Sequence, residues 1–207
     1  MADYKKPDHW QLKARKEGYP ARSVYKLKEM DGKFSLLQSM PENARVLDLG
    51  AAPGSWSLYL LRKNPGMRLV AADLSPLSRQ YDAGLFNGGN FTFIQGDFTD
   101  SAVRDSILSQ GPYRLILSDA APPTAGNRLI DGSRSLELAQ TVLAYAESSL
   151  AENGKLLLKA FQSNDSQDLL RRMKTMFTSA KSYKPAACRG DSFEVYYLGL
   201  GFTARTV

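Results

Sequence analysis

Beyond residue 45 the hydrophobic positions fall into short runs that alternate with amphipathic stretches. Val46–Leu49, Leu69–Ala72, Phe91–Gln95, Leu115–Leu117 and Leu156–Phe161 read as strands, and Lys181–Tyr183 and Glu194–Leu200 as two more. Ser55–Arg62, Ala102–Leu108, Ser133–Ala151 and Gln167–Phe177 read as helices, the longest stopping at Asn153-Gly154. Ahead of them, residues 8–17 and 22–38 also read as helices. The second carries Val24, Leu27, Met30 and Phe34 at three- and four-residue steps. This alternation predicts an α/β fold, with a mostly parallel seven-stranded sheet covered by helices on both faces. The loop between the last two strands is too short for a crossover helix, so one of them should run antiparallel. Residues 1–207 are expected to form a single domain, with 1–40 as a basic, helical N-terminal extension.

Composition narrows the setting. The chain has 207 residues, 43% of them hydrophobic, enough for an ordinary core. It has no apolar run of about 18 residues, so no membrane partner is expected. The lysines near the start precede no apolar stretch, which argues against a signal peptide. A single cysteine, Cys188, and a single histidine, His9, exclude a disulfide framework and argue against a Cys/His zinc site. Cys188 reads as structural or incidental and His9 as a surface residue; no metal is expected, and a reducing cytoplasm fits. The net charge of +6 is uneven: residues 1–34 carry nine Lys/Arg against five Asp/Glu, and residues 155–207 nine against four. Two basic ends flank a mildly acidic middle. They read either as solvated surface or as a face for a polyanion.

In a parallel sheet, ligands sit at the carboxyl ends of the strands. Three strands here end in an acid, at Asp73, Asp97 and Asp119, and the first ends in Asp48-Leu-Gly50 before a turn closed by Gly54. The dinucleotide pattern G-x-G-x-x-G is absent, because positions 50, 52 and 55 are Gly, Ala and Ser. A row of carboxylates suits a cationic ligand with hydroxyl groups better than a pyrophosphate. Any one of these acids could equally be a helix cap or a turn residue.

The segment Asp48-Leu-Gly-Ala-Ala-Pro-Gly-Ser-Trp56 resembles the cofactor loop of the FtsJ/RrmJ family of RNA ribose 2′-O-methyltransferases. The likeness covers nearly the whole chain, from Tyr19-Pro-Ala-Arg-Ser-Val-Tyr-Lys-Leu27 to Asp191-Ser-Phe-Glu-Val-Tyr-Tyr197. It implies a Rossmann-like fold and S-adenosyl-L-methionine as cofactor, with S-adenosyl-L-homocysteine as product. By the same resemblance Asp48, Gly50, Ala52, Pro53, Gly54 and Trp56 form the cofactor loop, with Gly50, Pro53, Gly54 and Trp56 at the methionine end. Asp73 would take the ribose and Asp97 with Phe98 the adenine, and Leu74 and Asp119 also border the cofactor.

The family's lysine–aspartate–lysine–glutamate tetrad has matching positions at Lys26, Asp119, Lys159 and Glu194. Lys159 is conspicuous without the resemblance, since it interrupts the apolar strand Leu156-Leu-Leu-Lys-Ala-Phe161 near its carboxyl end. A lysine there is costly to bury unpaired, unless it snorkels from an edge. Asp119 on a neighbouring strand end would be its partner. Lys26 alone is an ordinary lysine on an amphipathic helix. A ribose 2′-hydroxyl needs a proton acceptor, and a lysine serves only when burial or a nearby cation lowers its pKa. The expected roles are Lys159 as proton acceptor, and Lys26, Asp119 and Glu194 as positioning groups.

The basic ends are expected to bind RNA. Lys5, Lys6, Lys13, Arg15, Lys16, Arg22 and Lys28 come from the first, with Tyr4, Trp10 and Tyr19 interleaved for stacking. Arg171, Arg172, Lys174, Lys181, Lys184 and Arg189 come from the second. One stretch departs from the family pattern: Pro122-Pro-Thr-Ala-Gly126 lacks the usual Asn after Asp-Ala-Ala-Pro. Ser55 and Ser163 stand where glycines are frequent. The family implies ribosomal RNA within the large ribosomal subunit as substrate, at its A-loop uridine, and a monomeric enzyme. A tRNA anticodon-loop enzyme is the alternative within the family. A non-catalytic ribosome-assembly factor is the alternative of another class. A nicotinamide-dependent oxidoreductase is disfavoured by Ala52 and Ser55.

Overall fold

A computed structural model describes residues 8–38, 40–163, 166–190 and 192–203. Seven strands form one sheet in the order β3-β2-β1-β4-β5-β7-β6. They are β1 (Arg45–Leu49), β2 (Arg68–Asp73), β3 (Phe91–Gln95), β4 (Tyr113–Ser118), β5 (Leu150–Phe161), β6 (Phe177–Tyr183) and β7 (Glu194–Phe202). The helices are α1 (His9–Lys16), α2 (Val24–Phe34), α3 (Ser55–Lys63), α4 (Ser101–Leu108), α5 (Arg128–Ser149) and α6 (Ser166–Lys174). The first five strands in sheet order are parallel, and β7 runs antiparallel to both β5 and β6. The expected α/β fold with one antiparallel strand is the fold observed.

The continuous apolar runs of the central strands are explained by burial on both faces. Val46, Leu115, Leu117, Leu157, Tyr196 and Leu198 pack with α1, α2 and α3 in one core. Their alternates Leu47, Leu49, Ile116, Leu156, Leu158, Ala160 and Tyr197 pack with α5 and α6 in the other. Strand parity therefore assigns a face to the polar residues at the strand ends. Asp48, Asp119, Lys159 and Glu194 share parity with the α2 side.

Four boundaries differ from the sequence reading. Helix α2 stops at Phe34, not residue 38, because Ser35 turns left-handed (φ 53°) and the Asp31 carboxylate accepts the Leu37 N–H at 2.9 Å. Helix α5 starts at Arg128, five residues early, since the Asn127 side chain caps the N–H groups of Leu129 and Ile130. Asn153-Gly154, expected to stop that helix, instead forms a left-handed bend within the span of β5, where the register with β4 shifts. Phe177 opens β6 instead of closing α6. Its ring lies over Gly199 of β7, where a Cβ would sit 2.7 Å from it, and packs against Phe202.

Candidate active site

The carboxyl ends of β1 to β4 border a cavity of about 590 Å³. Among the residues expected at the cofactor site, Gly50, Ala52, Asp73, Leu74, Asp97, Phe98 and Asp119 line it. Gly50 lies at φ +75°, and a Cβ there would sit 2.5 Å from the Ala120 Cβ and 2.7 Å from its Cα. Only glycine lets the β1–α3 turn approach the loop after β4 so closely. Asp73 braces this turn: its Oδ2 accepts the Ala52 N–H at 2.9 Å and its Oδ1 the Ser75 N–H at 2.8 Å. Asp97 commits Oδ1 to the Thr99 N–H and hydroxyl, at 2.8 and 2.7 Å. Helix α5 adds Arg134, Glu137, Leu138 and Thr141 to the wall. Sequence reasoning missed these four, because nothing in a helix's own pattern says which cavity it borders.

The structure does not bring Asp48, Pro53, Gly54 or Trp56 to this cavity wall. Asp48 is fully buried beneath the turn, where the Ser57 hydroxyl donates to its Oδ2 at 2.7 Å and Oδ1 has no protein partner. Burial pushes its pKa up to about 7; the Ser57 hydrogen bond opposes this, and the charges of Asp119 and Asp73 add to it. Gly54, at φ +104°, packs against the Phe86 ring. Trp56 is buried on α3, and its indole N–H donates to the Ser23 carbonyl at 2.9 Å. Beside it the Ser55 hydroxyl accepts the Ala21 N–H at 2.8 Å and donates to the Ala21 carbonyl at 3.2 Å. Ser55 and Trp56 thus dock the segment that enters α2, and this docking positions Lys26.

All four tetrad residues converge. Lys26 and Glu194 form an ion pair. Lys159 pairs with Asp119 at 3.0 Å and also donates to the Asp119 backbone carbonyl. The two lysines are 8% and 9% exposed, so each charge depends on its partner. Burial disfavours the Asp119 carboxylate, but the ammonium groups of Lys159 and Lys26 and the Tyr196 hydroxyl outweigh it, holding its pKa below the ordinary value. Glu194 is likewise held low, with burial overcome chiefly by Lys26. For Lys26, burial favours the neutral form, yet Asp119 and Glu194 prevail and raise its pKa. Lys26 therefore stays protonated, and both acids stay ionised, at neutral pH.

Tyr196 is a site residue that sequence reasoning did not assign. Its hydroxyl donates to Asp119 Oδ1 at 2.6 Å, and it lies opposite Lys159 in the β5–β7 register. The only advance signal was its parity with Glu194. Ser192 similarly holds Glu194 Oε1 at 2.8 Å.

A second cavity, of about 740 Å³, lies beyond the tetrad and is lined by Glu194, Phe193, Phe161, Gln162, Arg128 and Asp131 among others. The loop after β4 borders both spaces. Asp119 to Pro123 line the first cavity, and Thr124, Gly126 and Arg128 the second. The divergent loop Pro122–Gly126 is thus common to the two.

Part of the expected RNA face is committed internally. Arg22 pairs with Asp8 and donates to the Ala187 carbonyl, Lys28 pairs with Glu17, Arg171 with Asp168 and Arg172 with Glu147. Tyr19 is buried under Lys28 and Arg62, and Trp10 packs on Tyr25. Tyr19 therefore supports the fold and presents no open face for stacking, while Trp10 is half-buried. Tyr4, Lys5 and Lys6 lie outside the described residues. His9 is exposed, as expected, and Cys188 is a half-buried free thiol.

A sequence profile described as FtsJ-like methyltransferase matches residues 19–202. A Treponema denticola protein named ribosomal RNA large subunit methyltransferase E is 46% identical over 201 residues, covering 96% of each chain. A protein of the same name from Oleidesulfovibrio alaskensis is 44% identical over 198 residues, covering 94% of this chain and 91% of that one. The crystal structure of a ribosomal RNA methyltransferase from Plasmodium falciparum superposes with a TM-score of 0.74 at 26% identity, over 90% of this chain and all of that one. With the profile spanning most of its length and relatives of this similarity end to end, the chain belongs to the FtsJ-like methyltransferase family.

Proposed function

We propose that the chain transfers the methyl group of S-adenosyl-L-methionine to a ribose 2′-hydroxyl of large-subunit ribosomal RNA, at the A-loop uridine. The observation that carries this reading is the position of the tetrad. Its Asp119 lines the cavity at the strand ends and its Glu194 lines the cavity beyond, so an acceptor held in the second faces a donor held in the first. The names of the relatives support ribosomal RNA as the acceptor.

The residues of the first cavity fit the cofactor. Gly50 lines it where only a glycine lets the turn close against Ala120, and the acids Asp73, Asp97 and Asp119 suit hydroxyls, an amino group and a cationic centre. When bound, the cofactor supplies an activated methyl on its sulfonium. The chain's own task is then alignment and proton transfer. Lys26 is held protonated by Glu194 and Asp119 and is a poor proton acceptor. An ammonium has no lone pair, so Lys159 Nζ, beside Asp119 at the end of β5, accepts the 2′-hydroxyl proton in its neutral form, after releasing its own proton to solvent. The Tyr196 hydroxyl fixes Asp119, which in turn orients Lys159. Residues 1–40 act within the same single domain by delivering Lys26.

Replacing Lys159 by Ala should lower methyl transfer at least about 10²- to 10⁴-fold and leave cofactor affinity within a few-fold by calorimetry. Near-normal turnover would refute the assignment of Lys159. Large ribosomal subunits from cells lacking the protein, tested against bulk tRNA as methyl acceptors, separate the ribosomal reading from the tRNA reading. Mass-spectrometric mapping of ribose methylation in the same cells identifies the nucleotide.

A further inference from the structure

We propose that the second cavity seats the base of the target nucleotide, stacked against Phe193 and Arg128, and so selects which ribose reaches the tetrad. The inference rests on the reading of the chain as an RNA ribose methyltransferase and adds the base-recognition element to it. Five large hydrophobic side chains are exposed among the described residues: Leu12, Leu74, Leu129, Ile130 and Phe193. Leu74 borders the cofactor cavity, Phe193 borders the second cavity, and Leu129 and Ile130 share a helical turn with Arg128. Scattered exposed hydrophobics need no explanation, but Phe193, alone among the five, lines the second cavity, and an exposed aromatic ring on a cavity wall is a surface that a ligand can cover.

The geometry of the pair suits a base. The Arg128 guanidinium lies 3.8 Å from the centre of the Phe193 ring. Arg128 covers one face of the Phe193 ring, and the outer face of this cation–aromatic pair is of the kind on which unpaired bases stack. Each is anchored from behind. The Phe193 carbonyl accepts the Gln162 N–H at 2.8 Å, continuing the β5–β7 ladder. Arg128 is the first residue of α5, whose start is capped by Asn127, and the buried Asp131 ties the preceding loop by accepting the Ala125 N–H at 2.6 Å.

The position also fits. Phe193 and Glu194 both line this cavity, so a base on the Phe193 ring shares its space with a tetrad carboxylate. Gln162 lines this cavity and also a neighbouring one that carries Lys174 and Lys184. The strand flanking the target therefore meets cations for its phosphates as it leaves.

The test uses steady-state methylation of undermethylated large ribosomal subunits by the full chain, with cofactor affinity measured by calorimetry. Phe193→Ala and Phe193→Leu should each raise KM for the subunits about tenfold, the loss expected for one base–aromatic stack. Arg128→Ala should shift KM in the same direction. Phe193→Tyr keeps a flat ring and should stay within about twofold of the parent. Cofactor affinity should be unchanged in all four. If the parent is active and Phe193→Leu and Arg128→Ala keep its KM, the base seat is overturned while the enzymatic reading stands. Equal impairment of Phe193→Tyr and Phe193→Leu also overturns it, because stacking would then not be the operative contact. A parent that methylates no ribosomal RNA overturns both readings.

Discussion

Three residues, Asp48, Lys159 and Tyr196, decide more of the site than their positions in the chain suggest. Asp48 is a fully buried carboxyl with one oxygen lacking a protein partner. An acid with a raised folded pKa binds its proton more tightly when folded, so folded stability falls as pH rises from its ordinary 3.8 to about 7. Asp48→Asn removes that dependence. The melting temperature of the variant relative to the parent should therefore be more favourable at pH 8 than at pH 5, and an equal difference at both would contradict a buried, titrating Asp48. Lys159 could be picked out from its strand alone, because a cation within Leu156–Phe161 needs a partner. Tyr196 could not, since a tyrosine between apolar neighbours reads as core until its hydroxyl is seen donating to Asp119.

At the scale of elements, the β1–α3 turn and strand β7 carry the site. Gly50→Ala should destabilise the fold by about 1–2 kcal/mol from its left-handed backbone alone. The overlap of the new methyl with Ala120 should weaken cofactor binding as well. A denaturant midpoint and a cofactor affinity both equal to the parent's would contradict the close approach described. Strand β7 matters because it is antiparallel: its first residue, Glu194, lies at the edge where the parallel strands β4 and β5 end. A parallel strand would have put Glu194 at the opposite edge. That one strand had to reverse was legible in the short loop before it. The helix starts and stops were less legible. Asn153-Gly154, an ordinary helix terminator by local chemistry, became a bend in β5 because α5 had already ended and pairing with β4 took over.

Across the whole molecule the tetrad links distant segments into one charge network, and stability should follow its ionisation. Asp119 and Glu194 titrate below their ordinary values of 3.8 and 4.5 in the fold. The stability they confer is present above those values and is lost as pH falls through the lower, folded ones. Glu194→Gln should therefore flatten the acid limb of the stability–pH curve below about pH 4.5; an unchanged limb would mean that the pair with Lys26 contributes little to folding. The sequence by itself determined the alternation of strands and helices and the reversal near the end, and its resemblance to the family marked the four residues that the fold brings together. These follow from local periodicity, loop length and motif, each readable within a few neighbouring residues. Only the tertiary structure decided that Asp48 and Trp56 lie behind the cavity at the strand ends, that α5 forms part of its wall, that Tyr196 holds Asp119, and that the tetrad stands between two cavities. Which groups share a space depends on how the sheet and its two helical layers pack, and no local pattern in the chain encodes that distance.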